Sequence, residues 1–190
     1  MKFNRFDYWV WENFFSKEEI YKINRFIETN LDQDEPPRFA ARNKKGVSRK
    51  FLTTKQIQWN KIRPLLWKLE DAVHLINQEH FEFHLHPFPS KFMCNYNIYS
   101  SKTKDHYGWH YDQCTAIDMD MKFTVLINLS EKHYQGGKFE IFNAITHTVE
   151  SYNKPGDVLM FKSFLNHRVK KVTKGERKTL AIFTFGPRWK

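Results

Sequence analysis

His110 and Asp112 stand two residues apart inside Gly108-Trp109-His110-Tyr111-Asp112. A second histidine, His167, follows 55 residues after Asp112, and Arg177 comes ten residues after that. One carboxylate and two imidazoles are the ligand set of a mononuclear non-haem Fe(II) site that keeps coordination positions open. On a strand, residues i and i+2 project from one face, roughly 6.6–6.8 Å apart along the chain, so one ion can bridge their tips. His167 opens a later strand and is expected to approach from across a barrel. A guanidinium fork matches a carboxylate, so Arg177 suits the far end of a small diacid. Its spacing from His167 puts it at the start of the last strand, next to Thr179, facing the same cavity. His-x-Asp alone is weak in a chain with nine histidines. The weight comes from all four residues in this order.

Something must hold these side chains together, and the chain supplies two kinds of element. Ser16-Lys17-Glu18-Glu19 reads as a capping box, and Ile20, Ile23, Phe26, Ile27 and Leu31 follow at helical spacing. Ahead of it, the aromatic stretch from Phe3 to Phe15 reads as a leading strand or extended segment. Residues 32–37 end the helix. Residues 38–50 carry six positive charges and no negative ones, without apolar periodicity. They read as a mobile basic loop, with 51–54 a short strand behind it. A second helix is expected over about 58–80, with Ile62, Leu65, Leu66, Leu69, Val73 and Ile76 on its buried face and Pro64 in its first turns. Beyond His84-Leu85-His86-Pro87-Phe88-Pro89 the pattern becomes strand-like. Strands are expected at about 91–99, 106–111, 121–129, 138–142, 146–151, 157–162, 167–172 and 178–185. Turn signals at Gly136-Gly137, Asn153-Lys154-Pro155-Gly156 and Lys174-Gly175 separate several of them. Eight short strands behind two helices predict a mainly β fold with helical support, closed or sandwiched, rather than a parallel α/β sheet. No linker or repeat divides the chain, so 1–190 is expected to be one domain: about 1–88 helical support, about 89–190 β core.

Composition narrows the setting. The chain has 190 residues, 41% of them hydrophobic and 17% aromatic, enough for a full, aromatic-rich core. No apolar run approaches the ~20 residues of a membrane span, and the start has no signal-peptide pattern. Cys94 and Cys114 are too few for a disulfide framework, so both are expected reduced, in a cytoplasmic protein. The net charge of +10 favours an acidic or phosphate-bearing partner. Nucleic acid is compatible with the basic clusters at 38–50 and 168–178, but no nucleic-acid motif accompanies them.

The block from about 91 to 190 resembles the prolyl 4-hydroxylase-like Fe(II)/2-oxoglutarate dioxygenases, including small bacterial and phage members. The matching pieces run in order. They are Tyr107-Gly108-Trp109-His110-Tyr111-Asp112, the strand 123–129, the Gly136-Gly137 hairpin, and Pro155-Gly156-Asp157 with its following strand. His167-Arg168-Val169 through Arg177 and Phe183-Thr184-Phe185-Gly186-Pro187 complete them. The resemblance implies a double-stranded β-helix (a jelly roll, cupin-like) packed against N-terminal helices. It implies Fe(II) on His110, Asp112 and His167, with O2 as oxidant and ascorbate as an optional addition. It implies 2-oxoglutarate as cosubstrate, its C5 carboxylate on Arg177. Thr124, Tyr99, Tyr107 and Thr179 would complete that pocket, with Tyr96 an alternative to Tyr99. The implied reaction is hydroxylation of an unactivated C–H bond, coupled to conversion of 2-oxoglutarate to succinate. One departure stands out: the stretch Ser100–Asp105 is longer and more polar than the family's, and lacks its glycine. It is expected to form a mobile wall at the site mouth, together with the basic loop.

A peptidyl proline is the first substrate expectation, which makes a protein or peptide the partner. The same chemistry on a free amino acid, nucleobase or other small molecule is the second. Nucleic-acid demethylases of the wider superfamily carry a second arginine six residues after the cosubstrate arginine, where this chain has Phe183. A non-catalytic jelly-roll binding module is the third reading, and it has no use for an arginine aimed at a diacid.

Overall fold

The computed structural model describes residues 6–31, 50–88, 90–113 and 118–189, with only the backbone at 50 and 51. Expectations for the basic segment 38–49 and for Cys114 therefore lie outside the described residues. In chain order the strands are β1 (Tyr8–Trp11), β2 (Lys50–Phe51), β3 (Thr53–Gln58), β4 (Met93–Ser100), β5 (His106–His110), β6 (Asp120–Asn128), β7 (Gln135–Gly136), β8 (Phe139–Asn143), β9 (Ile145–Thr148), β10 (Val158–Lys162), β11 (Asn166–Val169), β12 (Val172–Lys174) and β13 (Glu176–Gly186). Helices α1 (Lys17–Asn30), α2 (Trp59–Ile62) and α3 (Trp67–Ile76) precede the β core.

Two antiparallel sheets face each other as a double-stranded β-helix. One has the order β1-β10-β6-β13-β4-β3, the other β2-β5-β11-β8-β9, and β12 pairs with β7 separately. Strand alternation explains how the larger sheet is covered on both faces. Val125, Ile127, Val158, Met160, Leu180 and Ile182 point outward and join Ile20, Ile23, Ile27, Leu66, Leu69 and Val73 of the helices in one buried cluster. The residues between them, Leu126, Leu159, Phe161 and Ala181, point inward to a second cluster between the sheets. Strands buried on both faces read as nearly continuous apolar runs, as 123–129 does.

Helix α1 begins as its sequence dictates. Ser16 Oγ accepts from Glu19 N at 3.2 Å, and Glu19 Oε2 accepts from Ser16 N at 2.7 Å. Ser16→Ala is expected to cost about 0.5–2 kcal/mol of folding free energy, read by chemical denaturation. The expected second helix is broken. α2 starts at Trp59, so Pro64 falls beyond its first turn, where it lacks an N–H and its ring opposes the preceding carbonyls. The chain tightens into a 3-10 turn over Arg63–Leu65 and restarts as α3 after Leu66. A π turn, Asn77–Phe81, ends at Glu82 with φ 58°. The apolar face survives the breaks, because Ile62, Leu66, Leu69, Val73 and Ile76 are all buried.

Two smaller differences concern the core. The expected strand 167–172 divides into β11 and β12, which belong to different sheets. The stretch Ser100–Asp105 is a pinned turn rather than a mobile wall. Asp105 is buried, its carboxylate accepts from Ser100 N at 2.9 Å, and Ser101 N donates to Gly175 O at 3.0 Å. Pro155-Gly156-Asp157 has a structural task. The Asp157 carboxylate accepts from Asn13, Asn153 and Lys154 N–H groups, and Gly156 (φ 88°) lies against Phe15 O, where a Cβ would clash. No helix among the described residues is long and apolar enough to cross a membrane.

Candidate active site

The smaller sheet brings the two histidines together. His167 on β11 is the cross-strand partner of His110 on β5. It therefore comes from the neighbouring strand, not from across the barrel. The register shifts between His167 and Val169, so that Tyr107 and His110 share a face while Gly108 and Trp109 oppose one residue. Such a bulge re-aims side chains next to active sites. Asp112 lies just past β5, not on it, and its N–H donates to Ser163 O at 2.9 Å.

His110, Asp112 and His167 offer donor atoms that all lie within 4.8 Å of one another. His110 Nε2 is 3.7 Å from Asp112 Oδ1, and His167 Nε2 is 3.6 Å from Asp112 Oδ2. An ion with ligand bonds of about 2.0–2.2 Å can bridge such gaps. Each imidazole is oriented from behind. His110 Nδ1 bonds Gly108 O at 2.8 Å and His167 Nδ1 bonds Leu165 O at 2.9 Å. A proton held on Nδ1 leaves Nε2 as the lone-pair nitrogen. Burial pushes His167 down to about 4, against a smaller opposing effect of its bond to Leu165, so the ring is neutral and ready to ligate near neutral pH. Phe139 and Phe161 pack on it, with ring centroids at 5.5 and 4.6 Å.

Thr124 holds the carboxylate. Its Oγ1 donates to Asp112 Oδ2 at 2.7 Å and also meets Ser163 Oγ at 3.0 Å. Thr124→Val keeps the shape and removes the hydroxyl. It is expected to weaken divalent-metal affinity about 10–100-fold, read by metal titration, because supporting partners tune a site on that scale.

The larger sheet supplies the other end. One cavity between the sheets is lined by His110, Asp112 and His167 and also by Arg177, Thr179, Tyr99, Tyr107 and Thr124. Arg177 is 1% exposed, yet none of its three guanidinium nitrogens has a hydrogen-bond partner among the described residues. Tyr99, Tyr134 and Tyr152 surround this always-charged fork, but no carboxylate among the described residues pairs with it, which is a strong demand for an anion. Tyr99 is its cross-strand neighbour, with the guanidinium carbon 5.1 Å from the ring centre. Burial raises the Tyr99 hydroxyl to about 12 despite Arg177 beside it, so it remains a donor. Tyr107 stacks on His110 at 3.5 Å. Tyr96 points the other way and donates to Asn24 Oδ1 at 3.0 Å, which removes it from the cavity.

Sequence reasoning missed several contributors. Gly137 has φ 62°, and a Cβ there would come within 2.9 Å of Arg177 Cδ. The Gly-Gly hairpin thus gives the arginine stem its passage. Tyr152, brought in by the loop before β10, lies 5.8 Å from the guanidinium and carried no sequence signal. Asn95 and Asn97 line the cavity beside Tyr99. The period-2 alternation of β4 could have found them.

The donor set fits a divalent metal: two imidazoles and a carboxylate on one side, leaving positions for a chelate. The unpartnered Arg177 fits a cosubstrate whose second acidic group lies away from the metal. A jelly roll carrying both ends in one cavity defines a class, the oxygenases that pair non-haem iron with a dicarboxylate. The sequence points the same way, because the chain matches the model of the 2OG-Fe(II) oxygenase superfamily over residues 94–185, just under half of its length. It is a 2-oxoglutarate-dependent dioxygenase, using Fe(II), 2-oxoglutarate and O2.

Solved structures share the fold. A Pseudomonas putida prolyl-4-hydroxylase is 18% identical over 97% of this chain and 95% of its own, with TM-score 0.66. The viral collagen prolyl hydroxylase of Paramecium Bursaria Chlorella virus-1, in its 2-oxoglutarate complex, is 16% identical over 96% and 97%, with TM-score 0.66. A Trichoplax adhaerens prolyl hydroxylase, in complex with a hypoxia inducible factor oxygen degradation domain peptide fragment, is 15% identical over 96% and 84%, with TM-score 0.67. No curated protein matches the sequence.

Proposed function

We propose that residues 1–190 form one catalytic domain that hydroxylates a peptidyl residue, with proline the first candidate. His110, Asp112 and His167 hold Fe(II), and Arg177 pairs with the C5 carboxylate of 2-oxoglutarate. The observation that carries this reading is the buried, unpartnered Arg177 at one end of a cavity whose other end is the His-Asp-His cluster.

Each side chain then has a task. The backbone carbonyls of Gly108 and Leu165 fix the imidazoles, and Thr124 fixes the carboxylate. Tyr99 and Thr179 flank Arg177 on the cosubstrate side, while Tyr107 backs His110. Phe139 and Phe161 pack on the His167 ring and hold it in place. The bound metal and cosubstrate supply the oxidising power; the protein positions them and excludes side reactions. Phe183 lines the cavity six residues after Arg177, where demethylases of nucleic acid carry an arginine, and this favours peptide over nucleic acid. The Trichoplax relative holds a peptide fragment, and the same partner class is proposed here. Buried, unpaired Cys94 fits a reducing cytoplasmic setting.

The test measures succinate release with proline-containing peptides, free amino acids and oligonucleotides. A proline-containing peptide is expected to raise turnover and to gain one oxygen atom on the proline. Stimulation confined to an amino acid or an oligonucleotide would reject the peptidyl substrate and leave the oxygenase chemistry standing.

A further inference from the structure

Strand β4 turns three residues into the cavity: Tyr99, Asn97 and Asn95. Their neighbours Cys94 and Tyr96 face the helices. Tyr99 belongs with Arg177, and the two asparagines are left without an assigned ligand. Both are half-buried, and both are committed on one side only. The side-chain oxygen of Asn97 accepts from Thr54 Oγ1 at 2.9 Å, and that of Asn95 accepts from Gln56 Nε2 at 3.1 Å. Thr54 and Gln56 sit directly opposite them on β3, the edge strand of the larger sheet. With each oxygen pinned outward, each Nδ2 keeps its two donors, and neither makes a hydrogen bond among the described residues. A carboxamide has just these two functions, so fixing the acceptor aims the donor.

We infer that Asn95 and Asn97 are substrate-binding residues that donate to alternate main-chain carbonyls of an extended peptide laid along the β3–β4 shelf. This rests on the oxygenase reading above and names what the site grips. The two asparagines are i and i+2 on one strand, so their amides repeat at roughly 6.6–6.8 Å. An extended peptide presents carbonyls on one side at that same repeat. The cavity walls around them are neutral: Thr179, Ala181, Leu126 and Phe183, with Arg177 deeper in and no lysine among the lining residues. A phosphodiester would find no cation here other than the one aimed at the diacid. Recognition through main-chain carbonyls reads backbone shape and tolerates different flanking side chains.

Asn97→Asp and Asn95→Asp provide clean tests. Each keeps the oxygen that Thr54 or Gln56 donates to and replaces the donor with a second acceptor. The probe is a set of proline-containing peptides with varied flanking residues, and two quantities are read. The first is KM for each peptide; the second is Kd for 2-oxoglutarate on the Mn(II)-loaded protein by calorimetry. Each Asp variant is expected to raise peptide KM at least about tenfold, the cost of a buried acceptor left unmatched, with a much smaller change in the 2-oxoglutarate Kd. Thr54→Val, which releases the Asn97 amide, is expected to shift KM in the same direction by less. In the parent, flanking residues are expected to matter less than either asparagine. Unchanged peptide KM with intact 2-oxoglutarate binding overturns the inference and leaves the oxygenase reading standing. An equal rise in the 2-oxoglutarate Kd would move the amides to the cosubstrate, and stimulation by nucleosides instead of peptides would also overturn it. Failure of the parent to bind 2-oxoglutarate overturns the oxygenase reading and the inference together.

Discussion

Replacing His167, His110 or Asp112 by alanine is expected to abolish 2-oxoglutarate turnover and to weaken divalent-metal binding sharply, while the fold persists. The expectation comes from geometry: three donor atoms within 4.8 Å of one another, two of them on imidazoles whose other nitrogen is tied to a backbone carbonyl. Removing one ligand of three leaves a set that holds metal poorly and misplaces whatever binds opposite. His167 is the most informative of the three. Its ring is buried among Phe139 and Phe161, so alanine also leaves a cavity there, and a denaturation curve must accompany the assay. Full turnover by any variant would remove that residue from the ligand set. The parent is expected to take Ni or Zn at least as readily as Fe(II), and Mn more weakly, because raw affinity for such donors does not single out iron.

The second large effect belongs to Arg177. Alanine there is expected to weaken 2-oxoglutarate binding by about 2–5 kcal/mol, the scale for truncating one partner of a buried charge pair. Lysine is expected to rescue part of the loss, since it keeps the charge and loses the fork. The readout is the 2-oxoglutarate Kd by calorimetry on metal-loaded protein. An unchanged Kd in the alanine variant would put the carboxylate elsewhere, for instance on Arg168. The structure argues against that alternative, because Arg168 is already paired with Glu140 and packed over Trp109.

How much of this was legible beforehand depends on the kind of signal. The capping box fixed the start of α1, because Ser16 and Glu19 satisfy each other locally. The strands of the core were legible as short apolar runs, as at 123–129, punctuated by turn residues. That His110, Asp112, His167 and Arg177 would share one cavity was legible from their types and order. What the order hid was pairing. Nothing in the sequence says that β5 and β11 are neighbours, so His167 was expected from across the barrel when it stands beside His110. The break at Pro64 was hidden because its cost depends on where the helix begins, and one boundary decides it. The pinned turn at Ser100–Asp105 looked like a loose polar loop because its stability comes from one buried carboxylate and a bond to distant Gly175. Tyr152 and Gly137 reach Arg177 only through tertiary packing. Asn95 and Asn97 were within reach of a period-2 reading, but without their β3 partners the orientation of the amides was not.

The central claim is that one cavity binds a metal at His110, Asp112 and His167 and a dicarboxylate at Arg177 at the same time. Titrating 2-oxoglutarate into the protein under anaerobic conditions, with and without a divalent metal, tests it most directly. Binding is predicted to be one-to-one, strongly strengthened by the metal, lost in His167→Ala and weakened in Arg177→Ala. Binding that ignores the metal and survives both substitutions would contradict the account.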